Sequence, residues 1–287
     1  MSSAPRLYFI DALRAFAILM MLQGHFISGL LDPVFKDPDN PIYSFWLYCR
    51  GFTAPVFFTI TGWVFTFLLL RTKMQGWKNP RIKKGLKRTL ELLAWGYVLR
   101  LNLPMLFEGK INNSFLYPDV LQIIGLSLSF IILTYIIFGF LKRWTGLIFL
   151  VIGLLIFISE PLYVDLTFPE LPNYLAAYLT KANKGVFYLF PWLGYVCMGT
   201  FIAYLFNPKT EQLWAWGLGF LALGYWLINR SSAFLIDIEF FTGLELFRKV
   251  AYNNFLFIRL GDVFLLFGIF ILINDYLKKG LWTRIGS

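Results

Sequence analysis

His25 is the only histidine in a chain of 287 residues, and it follows Arg14 by eleven positions within one apolar run. An imidazole titrates near neutral pH. It can take a proton from a hydroxyl or amine as that group attacks a carbonyl, or it can be acylated itself. A guanidinium nearby can stabilise the oxyanion that such an attack forms. If residues 11–25 are helical, eleven steps make about three turns plus 20°, so Arg14 and His25 leave one face about 16 Å apart along the axis. Asp11 lies one turn before Arg14 and can pair with it. Ionisable groups inside a membrane helix are costly and by default functional, although long side chains near the end of a span also snorkel to the interface.

The elements that must position these groups are membrane helices. The chain is 58% hydrophobic, 20% aromatic and only 15% charged, with a mean hydropathy of +0.65. That composition excludes an ordinary soluble domain and predicts an all-α, polytopic integral membrane helical bundle. The short alternating segments of a β-barrel are missing. The apolar runs predict about eight transmembrane helices, over Tyr8–Leu30, Tyr43–Leu70, Leu86–Met105, Asp119–Leu141, Trp144–Tyr163, Val186–Phe206, Glu211–Asn229 and Phe255–Leu277. The first run has no cleavage site behind it and reads as a retained span. Without an internal repeat or a low-complexity linker, residues 1–287 read as a single transmembrane domain.

Cys49 and Cys197 are isolated in apolar runs, which argues against a disulfide framework and against zinc, and a lone histidine argues against any metal. The net charge of +10 does not indicate nucleic acid, because the basic residues fall between the spans, where orientation in a lipid bilayer explains them. Residues 71–88 hold Arg71, Lys73, Lys78, Arg81, Lys83, Lys84, Lys87 and Arg88 with no acid among them. Placed in the cytoplasm, this connection brings Lys142-Arg143, Lys209 and Lys278-Lys279 to the same side. The acid-containing segments 32–39, 160–170 and 237–245 then lie outside. Lys and Arg are then roughly twice as numerous inside as outside, and both termini are cytoplasmic.

At those depths Arg14 lies near the inner end of the first span and His25 near its outer end. Arg50, Arg100 and Arg259 fall in the outer half, where they are candidates for stabilising an oxyanion or holding an anionic acceptor; snorkelling to outer headgroups explains them almost as well. Asp262 is one turn from Arg259 and can pair with it. Gln122 is a buried amide, suited to lining a donor channel or to bonding a neighbouring helix. The basic connection serves topology and anionic lipid, or receives the phosphates of a nucleotide-bearing donor. Residues 168–174 and 240–243 mix aromatic and polar groups at the outer side, as interfacial anchors or as a surface on which a sugar could stack. Ala54-Pro55, Gly62, Gly125, Pro191, Gly194 and Gly199 are read as sites of close packing and kinks.

These motifs resemble a known family. Ile10-Asp11-Ala12-Leu13-Arg14, with His25 eleven positions after Arg14, looks like the first helix of the transmembrane acyltransferase superfamily. Within it, the branch typified by heparan-α-glucosaminide N-acetyltransferase, in its bacterial form, matches further. Residues 53–62 (TAPVFFTITG), a basic loop and Arg88-Thr89-Leu90-Glu91-Leu92 are similar to that branch's second and third spans. Val120-Leu121-Gln122-Ile123-Ile124-Gly125 and residues 190–199 (FPWLGYVCMG) resemble its later motifs. Ala15 replaces the glycine that usually follows the first-helix arginine. Thr283-Arg284-Ile285-Gly286-Ser287 resembles the lead-in to a further helix, so the resemblance implies a chain lacking the family's C-terminal helices.

The resemblance implies an acetyl-CoA-dependent acyltransferase of the bacterial cytoplasmic (inner) membrane. Acetyl would pass from cytoplasmic acetyl-CoA, as donor substrate, to an outward-facing acceptor such as a sugar or glycan. His25 would be catalytic, and Arg14, Asp11 and Gln122 would line the donor path. The phosphates of coenzyme A cannot cross hydrocarbon, whereas its thin uncharged arm could reach up towards His25. The alternative is a transporter or flippase for an anionic or lipid-linked solute, which the lack of internal repeats disfavours; a non-catalytic scaffold is a third reading. The acceptor, the acyl chain and any homo-oligomer stay open at this point.

Overall fold

The structure, a computed structural model, describes residues 7–72, 74–112, 115–181, 187–206 and 212–277. The expected spans 186–206 and 211–229 therefore begin on residues outside that set, and Lys73, Lys209, Lys278, Lys279 and the segment 283–287 lie outside it too. Every regular element among the described residues is a helix. In chain order they are α1 (Tyr8–Leu30), α2 (Pro41–Gly51), α3 (Thr53–Leu70), α4 (Pro80–Val98), α5 (Leu103–Phe107), α6 (Val120–Phe138), α7 (Arg143–Ile158), α8 (Glu160–Tyr163), α9 (Asn173–Leu179), α10 (Leu189–Leu205), α11 (Leu213–Thr242), α12 (Glu245–Tyr252), α13 (Phe255–Leu272) and α14 (Asn274–Leu277). Among the described residues four stretches are long and apolar enough to cross a bilayer: Tyr8–Leu30, Pro41–Leu70, Val120–Leu141 and Phe255–Leu272; α7 and α10 are shorter apolar helices.

The boundaries follow local chemistry where hydropathy misplaces them. The expected second span divides into α2 and α3 because Pro55 has no N–H to give the Gly51 carbonyl and its ring crowds that oxygen. The Val56 N–H bonds the Phe52 carbonyl at 3.0 Å instead, starting a new helix. Pro161 separates α7 from α8 for the same reason. The third helix starts at Pro80, six positions before the expected Leu86, so five of the basic residues once read as connection (Arg81, Lys83, Lys84, Lys87 and Arg88) belong to a helix. Its buried residues are Ile82, Gly85, Thr89, Leu92 and Gly96, alternating steps of three and four that make one narrow apolar stripe. In α11 the helix runs on past Asn229 to Thr242, with no glycine or proline to stop it there; the Asn229 amide donates to the Tyr225 carbonyl at 2.9 Å, within its own helix.

The described residues group into two compact units. Those within Met1–Ile60, Asn207–Ile238 and Ala251–Ser287 form one, and those within Thr61–Phe206 and Glu239–Val250 form the other. In the first, α1 runs antiparallel to α13 and α14: the Phe9 N–H donates to Asn274 Oδ1 at 3.1 Å, and the Phe16 and Phe270 rings stand 6.0 Å apart. Helices α11 and α13 approach closely through glycines, since a Cβ at Gly224 would sit 2.7 Å from the Gly261 carbonyl oxygen. In the second, α4 lies along α6 and α7 along α10. A Cβ at Gly125 would come 3.2 Å from the Thr89 carbonyl oxygen, and Gly194 leaves room for the Phe157 ring. Gly62 is the tightest case: a Cβ there would overlap the Val196 carbonyl oxygen. These small residues thus serve packing.

Asn79 joins two helices in that second unit. Fully buried, its side chain accepts from the Arg81 N–H at 2.9 Å, capping α4, and donates to the Leu69 carbonyl at the end of α3 at 3.0 Å. Asn79→Ala removes a cap and a buried hydrogen bond together, and is expected to lower stability by about 2 kcal/mol. Thermal unfolding of the purified protein in detergent checks this.

Candidate functional site

Helix α1 keeps the geometry that its spacing predicts. It is unbroken from Tyr8 to Leu30, so Arg14 and His25 share a side, Arg14 towards one end and His25 towards the other. His25 is exposed, and it makes no hydrogen bond or ion pair with the described residues. Arg14 is half-buried and also has no ion pair among them. The Asp11–Arg14 pair that their spacing allows does not form; Asp11 is engaged elsewhere. Among the described residues Arg14 is therefore an uncompensated cation.

The end of α1 that carries His25 meets α2 at Gly24. A Cβ at this buried glycine would sit 3.7 Å from Arg50 Nε, so the Arg50 side chain lies along the turn that bears His25. Arg50 also lies over the Trp46 ring, 5.6 Å from its centroid, and has no carboxylate partner among the described residues. Helix α2 is started sharply by Asn40, whose Oδ1 accepts from the Ile42 and Tyr43 N–H groups, with Pro41 at the first helical position.

The last turn of α2 reaches α13 as well. Tyr48 donates its hydroxyl proton to Asp262 Oδ1 at 2.6 Å, and Arg259 Nη1 donates to Asp262 Oδ2 at 2.9 Å and to the Tyr48 carbonyl at 3.4 Å. The Arg259 guanidinium lies 4.5 Å from the Tyr48 ring centroid and 5.3 Å from that of Phe255. A Cβ at Gly51 would be 2.7 Å from Arg259 Nη2. The Arg259 and Asp262 side chains are 14% and 6% exposed, so the pair is withdrawn from solvent and neutral as a unit. The structure thus gathers His25, Arg50 and Arg259 at one end of the first unit, and it distinguishes the two arginines: Arg259 is spent on Asp262, whereas Arg50 is not.

Gln122 and Arg100 come together in the second unit through Asp119. Arg100 Nη1 pairs with Asp119 Oδ2 at 3.3 Å. Asp119 Oδ1 accepts from the Val120 N–H at 2.8 Å; the Asp119 side chain also accepts from the Gln122 N–H while Gln122 Oε1 accepts from the Asp119 N–H at 3.1 Å, the reciprocal bonds of a capping box. Gln122 is fully buried against Gly96, where a Cβ would overlap its amide, and its Nε2 has no partner. Close by, the Tyr97 and Tyr178 hydroxyls share a hydrogen bond of 2.6 Å, and the Tyr97 and Phe115 rings are 5.6 Å apart. Burial, and then the bond to Tyr97, push the Tyr178 phenol up from its ordinary value, so it stays protonated.

Sequence reasoning passed over Asp119, Tyr48 and Gly24. An acid three residues before Gln122 at a helix start is the signal that would have found Asp119. Nothing local marks Tyr48, whose partner is 214 positions away. Among the described residues no group of three or more His, Cys, Asp or Glu side chains is arranged to hold a metal ion. Exposed Lys83 and Lys84 lie in the first turns of α4 without ion-pair partners among the described residues, whereas Lys87 and Arg88 lie 3.9 and 3.6 Å from Glu91 carboxylate oxygens.

One comparison with known proteins places these residues. The family profile described as "Heparan-alpha-glucosaminide N-acetyltransferase, catalytic" matches residues 6–235. That range takes in Asp11, Arg14, His25, Arg50, Arg100 and Gln122, and leaves out Arg259 and Asp262. No curated protein and no solved structure matches the chain significantly.

Proposed function

Because the chain belongs to the heparan-α-glucosaminide N-acetyltransferase family, a family of membrane acetyltransferases, we propose that it moves an acetyl group from cytoplasmic acetyl-CoA to an amine or hydroxyl acceptor, such as a sugar, on the outer side of the membrane. The observation that carries this reading is the state of His25: an exposed imidazole with no partner among the described residues, on a turn lined by the uncompensated Arg50. An imidazole in that state is open to accept a proton. As the acceptor attacks the thioester carbonyl, a bond forms from its nitrogen or oxygen to the acyl carbon. His25 takes the acceptor's proton, the carbon–sulfur bond breaks, and the proton leaves with the thiolate sulfur. Arg50 is the guanidinium suited to the oxyanion, since no carboxylate competes for it.

The donor's phosphates fit the opposite end of α1. Arg14 has no ion-pair partner among the described residues there; Arg14, or else the basic segment that carries Lys83 and Lys84, would complement the phosphate oxygens. The basic loop and the first turns of α4 lie on the cytoplasmic side, following the positive-inside rule.

The test is transfer itself. Purified protein in proteoliposomes, given acetyl-CoA labelled in the acetyl group and a mixture of amino and neutral sugars, should label the sugars and release the free thiol of coenzyme A. Intact donor and unlabelled sugars would overturn the proposal.

A further inference from the structure

We propose that Tyr48 and Asp262 are positioning residues that hold Arg50 in place beside His25. This rests on the acetyltransferase reading above and adds to it a role for α13, which lies beyond the part of the chain that the family profile matches.

The last turn of α2 works as a strut with two sides. Tyr48 and Gly51 are three residues apart and so share a face, which is the face that meets α13. Arg50 leaves the same turn in another direction and lies along Gly24 of α1. The bond from the Tyr48 hydroxyl to the buried Asp262 carboxylate at 2.6 Å and that from Arg259 to the Tyr48 carbonyl at 3.4 Å fix this turn against α13, while Arg259 and Asp262 pair within α13 at 2.9 Å. The Arg259 guanidinium then fills the space that a side chain at position 51 would take. Asp262 is buried on α13. Its two oxygens bond Arg259 and Tyr48, whereas Arg50 has no carboxylate partner among the described residues. One carboxylate therefore does two things: it pairs with Arg259, and through Tyr48 it holds the turn from which Arg50 departs.

The variant Tyr48→Phe deletes one hydroxyl and keeps the ring under Arg259. It should lower kcat/KM for the sugar acceptor about tenfold and leave the KM for acetyl-CoA within about twofold, because Arg50 is moved and not removed. If Tyr48 acts through Arg50, the same substitution made in Arg50→Ala protein should cost less than about twofold; full, additive losses would overturn the proposal. A second readout needs no activity. With a single histidine in the chain, the imidazole resonances of labelled protein belong to His25 alone. Tyr48→Phe should move them in the same direction as Arg50→Ala does, and the control Tyr252→Phe should not move them. Resonances unchanged in Tyr48→Phe overturn the positioning role even if transfer is never seen. Resonances that move in a protein inactive before mutation overturn only the acetyltransferase reading.

Discussion

His25→Ala is expected to reduce acetyl transfer by about 10²- to 10⁴-fold, the usual contribution of a positioned general base. The loss should fall on kcat, because a methyl group in place of the ring removes the proton acceptor and leaves the donor's phosphate contacts untouched. Stability should hardly change. His25 is exposed and makes no hydrogen bond among the described residues, so truncating it leaves no buried group unsatisfied. The measurement is single-turnover transfer from labelled acetyl-CoA, alongside a melting curve of the same sample in detergent. Transfer that survives at more than about a tenth of the wild-type rate, in a protein that melts normally, would remove His25 from the chemistry. Arg50 would then have to act with some other base.

Gly62→Ala is expected to be the most damaging substitution for the fold. A Cβ at this position would overlap the carbonyl oxygen of Val196, and the Thr200 hydroxyl oxygen would be only 3.1 Å from it. A carbonyl in the middle of α10 cannot swing away as the tip of a side chain can, so α3 and α10 must separate. Thr200 Oγ also bonds the Gly62 carbonyl at 3.5 Å and Thr66 Oγ1 at 3.2 Å, and that seam would open as well. Overpacking of this kind costs about 3 kcal/mol or more. The contrast is Gly219 in α11, an exposed helical glycine whose Cβ would meet nothing within 4 Å. Gly219→Ala should be neutral or stabilise by up to about 1 kcal/mol, as alanine does in an open helix. Denaturation of the two variants in the same detergent should therefore move in opposite directions. Equal midpoints would mean that the α3–α10 contact is looser than described.

Much of this protein is determined by its sequence alone, because the deciding interactions are short-ranged. Asn40-Pro41, Asn79-Pro80 and Asp119 followed by Gln122 start their helices through bonds spanning two or three residues. Pro55 ends α2 by its clash with the carbonyl four positions back. Eleven helical steps put Arg14 and His25 on one side of α1, whatever surrounds it. The start of α4 was misplaced for a related reason: hydropathy weighs residues regardless of face, while the stripe of Ile82, Gly85, Thr89, Leu92 and Gly96 was present at helical spacing all along. Only the tertiary structure decided which charges are spent and which are free. Arg259 has Asp262 one turn away, a pairing its spacing already allows, but Arg50 and Arg100 are alike in sequence, each a lone guanidinium in an apolar setting. Asp119 takes Arg100, Asp262 takes Arg259, and Arg50 is left against Gly24. Periodicity tells which face of a helix a residue occupies. The partner that face meets is set by packing between helices far apart in the chain, as in the bond from Tyr48 to Asp262, and burial then decides how strongly each charge is held.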